Sequence, residues 1–166
     1  FTNYQFYIDE FIRLGQLEMQ NADSPYSAFV QPGNVITRRA GLGGGDEGGT
    51  PPPRLPQMPA YHLVRPDRSG ISFVNIGVGP RNAKTITDHI AVLRPHAWIM
   101  VGHCAGLRGS QQLGDYVLAH GYVREDHVLD EDLPLWIPVP ALAEVQIALQ
   151  QAVADVTGLP GDELKR

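Results

Sequence analysis

Two glycine-bearing segments have the residue types and spacing to hold a small ligand. Gly77-Val78-Gly79-Pro80 follows an apolar run and lets the backbone approach a ligand, with helix N–H groups beside it. That arrangement suits a phosphate or a cluster of hydroxyls. It is not a dinucleotide fingerprint, because Asn82 stands where the third glycine belongs, and a tight ligand-free turn from strand to helix explains these residues equally well. Gly102-His103-Cys104-Ala105-Gly106-Leu107-Arg108 also follows an apolar run, placing small and polar residues where an α/β sheet keeps its ligands. Backbone groups there suit a flat base or a sugar.

Other reactive groups divide into functional and bland readings. Cys104 stands beside His103, but neighbours in an extended loop point apart and a free cysteine often packs as a small hydrophobe, which disfavours a nucleophile. His62, His89, His96, His103, His120 and His127 form neither a helical metal pair nor a His-Glu-x-x-His motif, so no metal site is expected. Arg124-Glu125-Asp126-His127 is dense in titratable groups that suit orienting a base or ribose, and a solvated charged turn accounts for it as well. Arg38, Arg39 and Arg81 offer planar donor forks for a phosphate, although a lone arginine is more often a surface charge.

The elements that must position these groups are legible from periodicity. Tyr4, Phe6, Tyr7, Phe11, Ile12 and Leu14 recur at helical spacing, with Asn3 or Thr2 as the expected cap. Short strands at 28–30 and 35–37 flank Pro32-Gly33-Asn34, and runs at 61–64 and 71–76 flank a polar turn, giving two hairpins. Between them, residues 40–59 are rich in glycine and proline and read as a mobile loop inside one domain. Residues 81–93 carry Ala83, Ile86, Ile90 and Leu93 on one helical stripe, with Lys84 and Asp88 outside and Pro95 beyond. Ala97-Trp98-Ile99-Met100-Val101 reads as a strand buried on both faces. Strand, turn, helix and strand together make a βαβ unit, with chemistry expected at its carboxyl ends. A further strand is expected at 116–119, a proline-punctuated loop at 130–140, and a helix at 141–156 with Leu142, Val145, Leu149, Ala152 and Val156 inward.

Composition narrows the class. The 166 residues suffice for one domain, and 43% hydrophobic with 19% charged residues is ordinary for a folded chain. A formal net charge of -5 argues against a general nucleic-acid binder, so an anionic ligand must be held by a few placed donors. Cys104 is the single cysteine, which excludes an intrachain disulfide and fits a reducing cytoplasm. No run reaches the roughly 20 apolar residues of a membrane span. The start at Phe1 and the absence of a further strand near Arg166 make a fragment the expectation.

An ordered series of segments resembles the AMP nucleosidase family: Phe1-Thr2-Asn3-Tyr4-Gln5, Asp23-Ser24-Pro25-Tyr26, Gln57-Met58-Pro59-Ala60, Val74-Asn75-Ile76-Gly77-Val78-Gly79-Pro80, Ala91-Val92-Leu93-Arg94-Pro95, Gly102-His103-Cys104 and Gly114-Asp115-Tyr116-Val117-Leu118-Ala119-His120. The resemblance implies an α/β nucleoside phosphorylase-like fold, three layers around a central mixed sheet, here truncated before its C-terminal half. It implies hydrolysis of the N-glycosidic bond of AMP to adenine and ribose 5-phosphate in purine salvage, without metal or organic cofactor. Gly79, His103, Cys104, Ala105 and Gly106 are then expected on sugar and base, and Arg38 and Arg81 on phosphate. In the wider group an arginine three residues before the loop's first polar side chain binds attacking phosphate. Met100 stands there, as suits an enzyme that uses water. The resemblance places the general acid, an Asp, and a ribose-binding Glu beyond Arg166, so the fragment itself is expected to be inactive. It also implies a homohexameric parent, and suggests ATP and phosphate as effectors without placing residues for them. A phosphorolytic purine enzyme and a non-catalytic nucleotide-binding or assembly module are the alternatives.

Overall fold

The computed structural model describes residues 1–42, 46–125, 127–128 and 133–159. It falls into two compact units, Phe1–Gly102 and His103–Arg166, which are taken separately.

The first unit opens with helix α1, Gln5–Gln20, whose Ile8, Gly15 and Met19 are buried. With Ile12 they recur every three or four residues, so one stripe faces the sheet. The expected capping role of Asn3 or Thr2 is not realised: Tyr4 occupies the N-cap without a side-chain cap. Thr2 instead sits in the sheet, and its Oγ1 accepts the Tyr4 N–H at 3.1 Å.

Five strands form an antiparallel sheet: β1 Ala28–Gln31, β2 Val35–Arg38, β3 Asp46–Glu47, β4 Ala60–Val64 and β5 Gly70–Val74, in the order β3-β2-β1-β4-β5. Both expected hairpins are present, and the first closes through Gly33 and Asn34, both at positive φ. The glycine- and proline-rich stretch contributes β3 as an added edge on β2, and the Thr50 N–H returns to the Gly33 carbonyl at 3.2 Å. Residues 43–45 of that stretch lie outside the described residues.

Alternation along the strands puts Phe29, Tyr61 and Leu63 on the face toward α1, where they join Ile8 and Met19 in the core, with Phe11, Ile12, Tyr26 and Phe73 against it. Phe29 and Ile8 are fully enclosed, each contributing roughly 1.5–3 kcal/mol by leaving water. The Phe11 ring lies 5.2 Å from Phe73 and 6.3 Å from Phe29.

Past β5 the sheet changes character. Thr2 bridges in parallel to Asn75 on one side and to Val101 on the other. The Thr2 N–H reaches the Val74 carbonyl at 3.0 Å and the Ile76 N–H reaches the Thr2 carbonyl at 2.8 Å, while Val101 donates to the Phe1 carbonyl at 2.8 Å. The Phe1 nitrogen donates to the Ile99 carbonyl at 2.8 Å. Three parallel segments thus lie side by side, with the chain's first residues in the middle. Helix α2, Pro80–Ala91, connects the outer two. Its Ala83, Ile86 and Ile90 are half-buried, and Lys84 pairs with Asp88 at 2.8 Å on the exposed side.

The run 97–101 departs from expectation. It forms one bridge and no extended strand, and Trp98, Ile99, Met100 and Val101 are 37–52% exposed. Its apolar side chains suit burial on both faces, but its described backbone bonds run to Phe1 alone, and a ladder forms only where a neighbour supplies donors and acceptors. The Trp98 ring stacks on Phe1 at 5.4 Å.

In the second unit β6 Gly121–Tyr122 pairs with β7 Val139–Pro140, and helix α3 spans Ala143–Thr157, ending on Gly158 in the left-handed conformation. The strand expected at 116–119 is absent: these residues join no ladder among the described residues, and Tyr116 and Val117 are exposed. The loop expected at 130–140 carries β7, and residues 130–132 lie outside the described ones. The expected inward stripe of α3 is also corrected, since Leu142 and Val156 are exposed and Gln146 is the buried residue.

Candidate functional site

The carboxyl ends of the parallel segments carry the first unit's ligand-type turns. After β5 the chain reaches Asn75, whose Oδ1 accepts the Gly77 N–H at 3.0 Å. Gly77 has φ 68 and Gly79 has φ 107, conformations that side-chain-bearing residues rarely adopt. No heavy atom lies within 4 Å of where a Cβ on Gly79 would stand, so the turn presents bare backbone. Gly79 is the N-cap of α2, with Pro80 at its first position and no side chain capping it. The first-turn N–H groups therefore have no intrahelical acceptor and project the positive end of the helix dipole. The Asn82 Nδ2 donates to the Val78 carbonyl at 2.9 Å, bracing the turn from behind.

The neighbouring segment ends at Asn3, and the next at Gly102. A Cβ on Gly102 would lie 3.7 Å from the Asn3 Oδ1 and 3.9 Å from the Met100 Cε, so both side chains border that glycine. Gln5 joins the cluster by accepting the Asn75 Nδ2 at 3.1 Å on its Oε1 and donating from Nε2 to Asp9 Oδ1 at 2.9 Å. Burial, with Asp9 nearby adding to it, raises the Tyr61 hydroxyl above its usual pKa. Sequence pattern alone shows Asn3, Gln5 and Asn75 only as helix starters or strand residues. Their signal is positional: Asn3 and Asn75 each follow a residue bonded in the parallel set, and Gln5 opens the helix two residues after Asn3.

Asn3 and the backbone N–H groups at the start of α2 can bind hydroxyls, carbonyls or phosphate oxygens, with Gln5 and Asn75 engaged in bracing the turn. Asp9, engaged by Gln5, is not part of that binding set.

The residues nominated from sequence separate into three groups. Gly79 and Arg81 lie together at the start of α2, with Arg81 exposed. Arg38 ends β2 in the row Arg38, Ala28, Val64, Gly70, at the opposite end of β5 from Asn75. Strand spacings put it on the order of 20 Å from that turn, so Arg38 is not brought to it. His103, Cys104, Ala105 and Gly106 belong to the second unit, where all four are exposed. There the Arg108 N–H is held by the Gln111 Oε1 at 2.9 Å, and the same side chain approaches Gly106.

Arg124, read with its neighbours either as orienting a base or ribose or as part of a solvated charged turn, is 8% exposed and donates from Nη2 to the Leu133 carbonyl, while Glu125 and His127 are exposed. Asp126 of that segment lies outside the described residues. No group of three or more His, Cys, Asp or Glu capable of holding a metal occurs among the described residues. No helix of the described residues is long and apolar enough to cross a membrane. A shallow groove of about 250 Å³ lined by Tyr7, Phe11, Leu14, Phe73 and Val101 contains none of the nominated residues.

The elements define a mixed α/β protein whose glycine turns gather at the carboxyl ends of a short parallel set. No protein-family model matches the chain. It is 54% identical over 174 aligned residues, covering all of the chain, to AMP nucleosidase of Escherichia coli K12, and equally to that of Escherichia coli O157:H7. The chain spans 34% of the length of these relatives.

Proposed function

We propose that this chain is the substrate-binding front part of the catalytic domain of an enzyme that hydrolyses AMP to adenine and ribose 5-phosphate, built on a nucleoside phosphorylase-like sheet. In the first unit the turn at Gly77-Val78-Gly79, with Arg81 beside it, is the candidate for the sugar and its phosphate; His103 to Gly106, in the second unit, are separate candidates for ribose and base. The observation that carries the hydrolytic reading is Met100. Its thioether borders Gly102, the position at which a phosphate-using relative would need a cation. An apolar side chain there leaves an anionic nucleophile without charge-assisted bonds and water as the attacking group.

Cleavage builds positive charge on ribose and negative charge on adenine, which calls for sugar hydrogen bonds and an acid near the purine. The Asn3 amide and the Gly79 turn fit the first need. The acid is assigned to the part of the relatives that this chain does not span, so the chain by itself binds without turning over. A cytoplasmic homohexamer, with ATP and phosphate as effectors, is the parent state in this proposal.

The test extends the chain to the length of its relatives and incubates it with AMP in phosphate-free buffer, following products by chromatography. Adenine together with ribose 5-phosphate supports the reading. Turnover that depends on added phosphate and yields ribose 1,5-bisphosphate overturns it in favour of phosphorolysis, and no product from a folded protein favours a binding module.

A further inference from the structure

The Gly77 turn is held by a chain of hydrogen bonds with one permitted direction. Asp9 accepts from Gln5 Nε2 at 2.9 Å, Gln5 Oε1 accepts from Asn75 Nδ2 at 3.1 Å, and Asn75 Oδ1 accepts from the Gly77 N–H at 3.0 Å. Its two ends are chemically fixed, since an ionised carboxylate only accepts and a backbone N–H only donates. The two carboxamides between them must therefore align head to tail, each with its NH₂ toward Asp9. We propose that Asp9, Gln5 and Asn75 form a positioning relay that fixes the nucleotide-binding turn. It ties the turn's backbone to helix α1 rather than leaving it to local glycine conformations.

This inference rests on the reading of that turn as a nucleotide site, and neither Asp9 nor Gln5 is assigned a contact with substrate. Without the relay the turn keeps the Asn82–Val78 bond, but Gly77 and Gly79 at positive φ gain conformational freedom and the first-turn N–H groups of α2 are less firmly aimed.

The head-to-tail polarity gives the test. Asn75→Asp keeps the acceptor for Gly77 but offers an acceptor to Gln5, which, being exposed, either turns over and presents its carbonyl to Asp9, oxygen against oxygen, or leaves the relay for water. Asp9→Asn alone keeps an acceptor for Gln5 and leaves the relay intact. Combined, D9N/N75D reverses the upper part of the relay. The carboxamide introduced at position 9 donates to Gln5 Oε1, Gln5 Nε2 donates to the carboxylate introduced at position 75, and that carboxylate still accepts from Gly77. In the enzyme extended to the length of its relatives, N75D is expected to raise KM for AMP by about tenfold with kcat less affected. D9N stays within about twofold, and the double variant recovers most of the loss, a coupling that independent sites do not show.

Thermal melting of the same four proteins reads the relay apart from turnover, with N75D lowering Tm and the double variant restoring it. A double variant no better than N75D in both readouts overturns the proposal. Restored Tm without restored KM overturns its positioning role and leaves a structural link only. Absence of AMP hydrolysis in the unaltered enzyme, with coupled Tm values, sinks the nucleosidase reading and with it the assignment of this relay to a nucleotide site.

Discussion

Thr2 donates its backbone N–H to the Val74 carbonyl at 3.0 Å and is itself fully enclosed, so the second residue of the chain is an inner rung of the sheet. Thr2→Pro removes that donor and leaves the buried Val74 carbonyl without its partner, at a cost of about 1–3 kcal/mol. Thr2→Val removes only the Oγ1 that receives the Tyr4 N–H, costing about 1 kcal/mol. Urea unfolding of the chain should rank them in that order, and equal stabilities would show that the parallel rung contributes nothing.

Helix α1 approaches the sheet at Gly15, where an added Cβ would stand 2.6 Å from two ring carbons of Phe29. Phe29 is fully enclosed and cannot swing away. Gly15→Ala gains up to about 1 kcal/mol of helix propensity but overpacks the core by about 1–3 kcal/mol. Net destabilisation of about 1 kcal/mol is expected in the same unfolding assay; a stabilised variant would mean that the helix shifts to accept the methyl.

The hairpins and the three main helices were legible because each carries its own period and its own punctuation. The turn at 33–34 and the alternation of Tyr61 and Leu63 need no distant partner to be read. Three features were not legible, for one physical reason. Thr2 reads as a helix cap until Val74 and Val101 are known to flank it, and 97–101 reads as a doubly covered strand although Phe1 is the only neighbour its described backbone bonds reach. Residues 116–119 have strand composition and no ladder among the described residues. Pairing is a property of two segments, and sequence shows one at a time. At the site, Gly79 was found through its type, whereas Asn75 and Gln5 matter through a bond 70 residues apart in sequence.

His62 on β4 faces Ser72 on β5, with its Nδ1 2.7 Å from the Ser72 Oγ, and burial holds its pKa below the ordinary 6.5. The unfolded chain therefore takes up this proton before the folded one does. Stability from this residue is complete above pH 6.5 and falls as pH drops through the window between 6.5 and the lowered folded value. Melting temperature against pH should show that decline in the unaltered chain and a flatter curve in His62→Gln. An identical slope in both would assign the decline to other groups.

Gly79→Ala separates backbone conformation from steric conflict, because a Cβ there meets nothing within 4 Å while φ is 107. An alanine meets no clash, yet must leave that conformation or hold it at a cost of about 1–3 kcal/mol. Either response moves the start of α2, where Arg81 and the uncapped N–H groups stand. In the extended enzyme the expected result is a rise of about tenfold in KM for AMP, with a small fall in Tm. Adenosine, which lacks the phosphate, should be bound equally by the altered and unaltered proteins in calorimetric titration. If both ligands weaken together, the turn serves the sugar or base and the phosphate is held elsewhere; if neither weakens, the bare backbone at Gly79 is a structural turn and the ligand lies away from it.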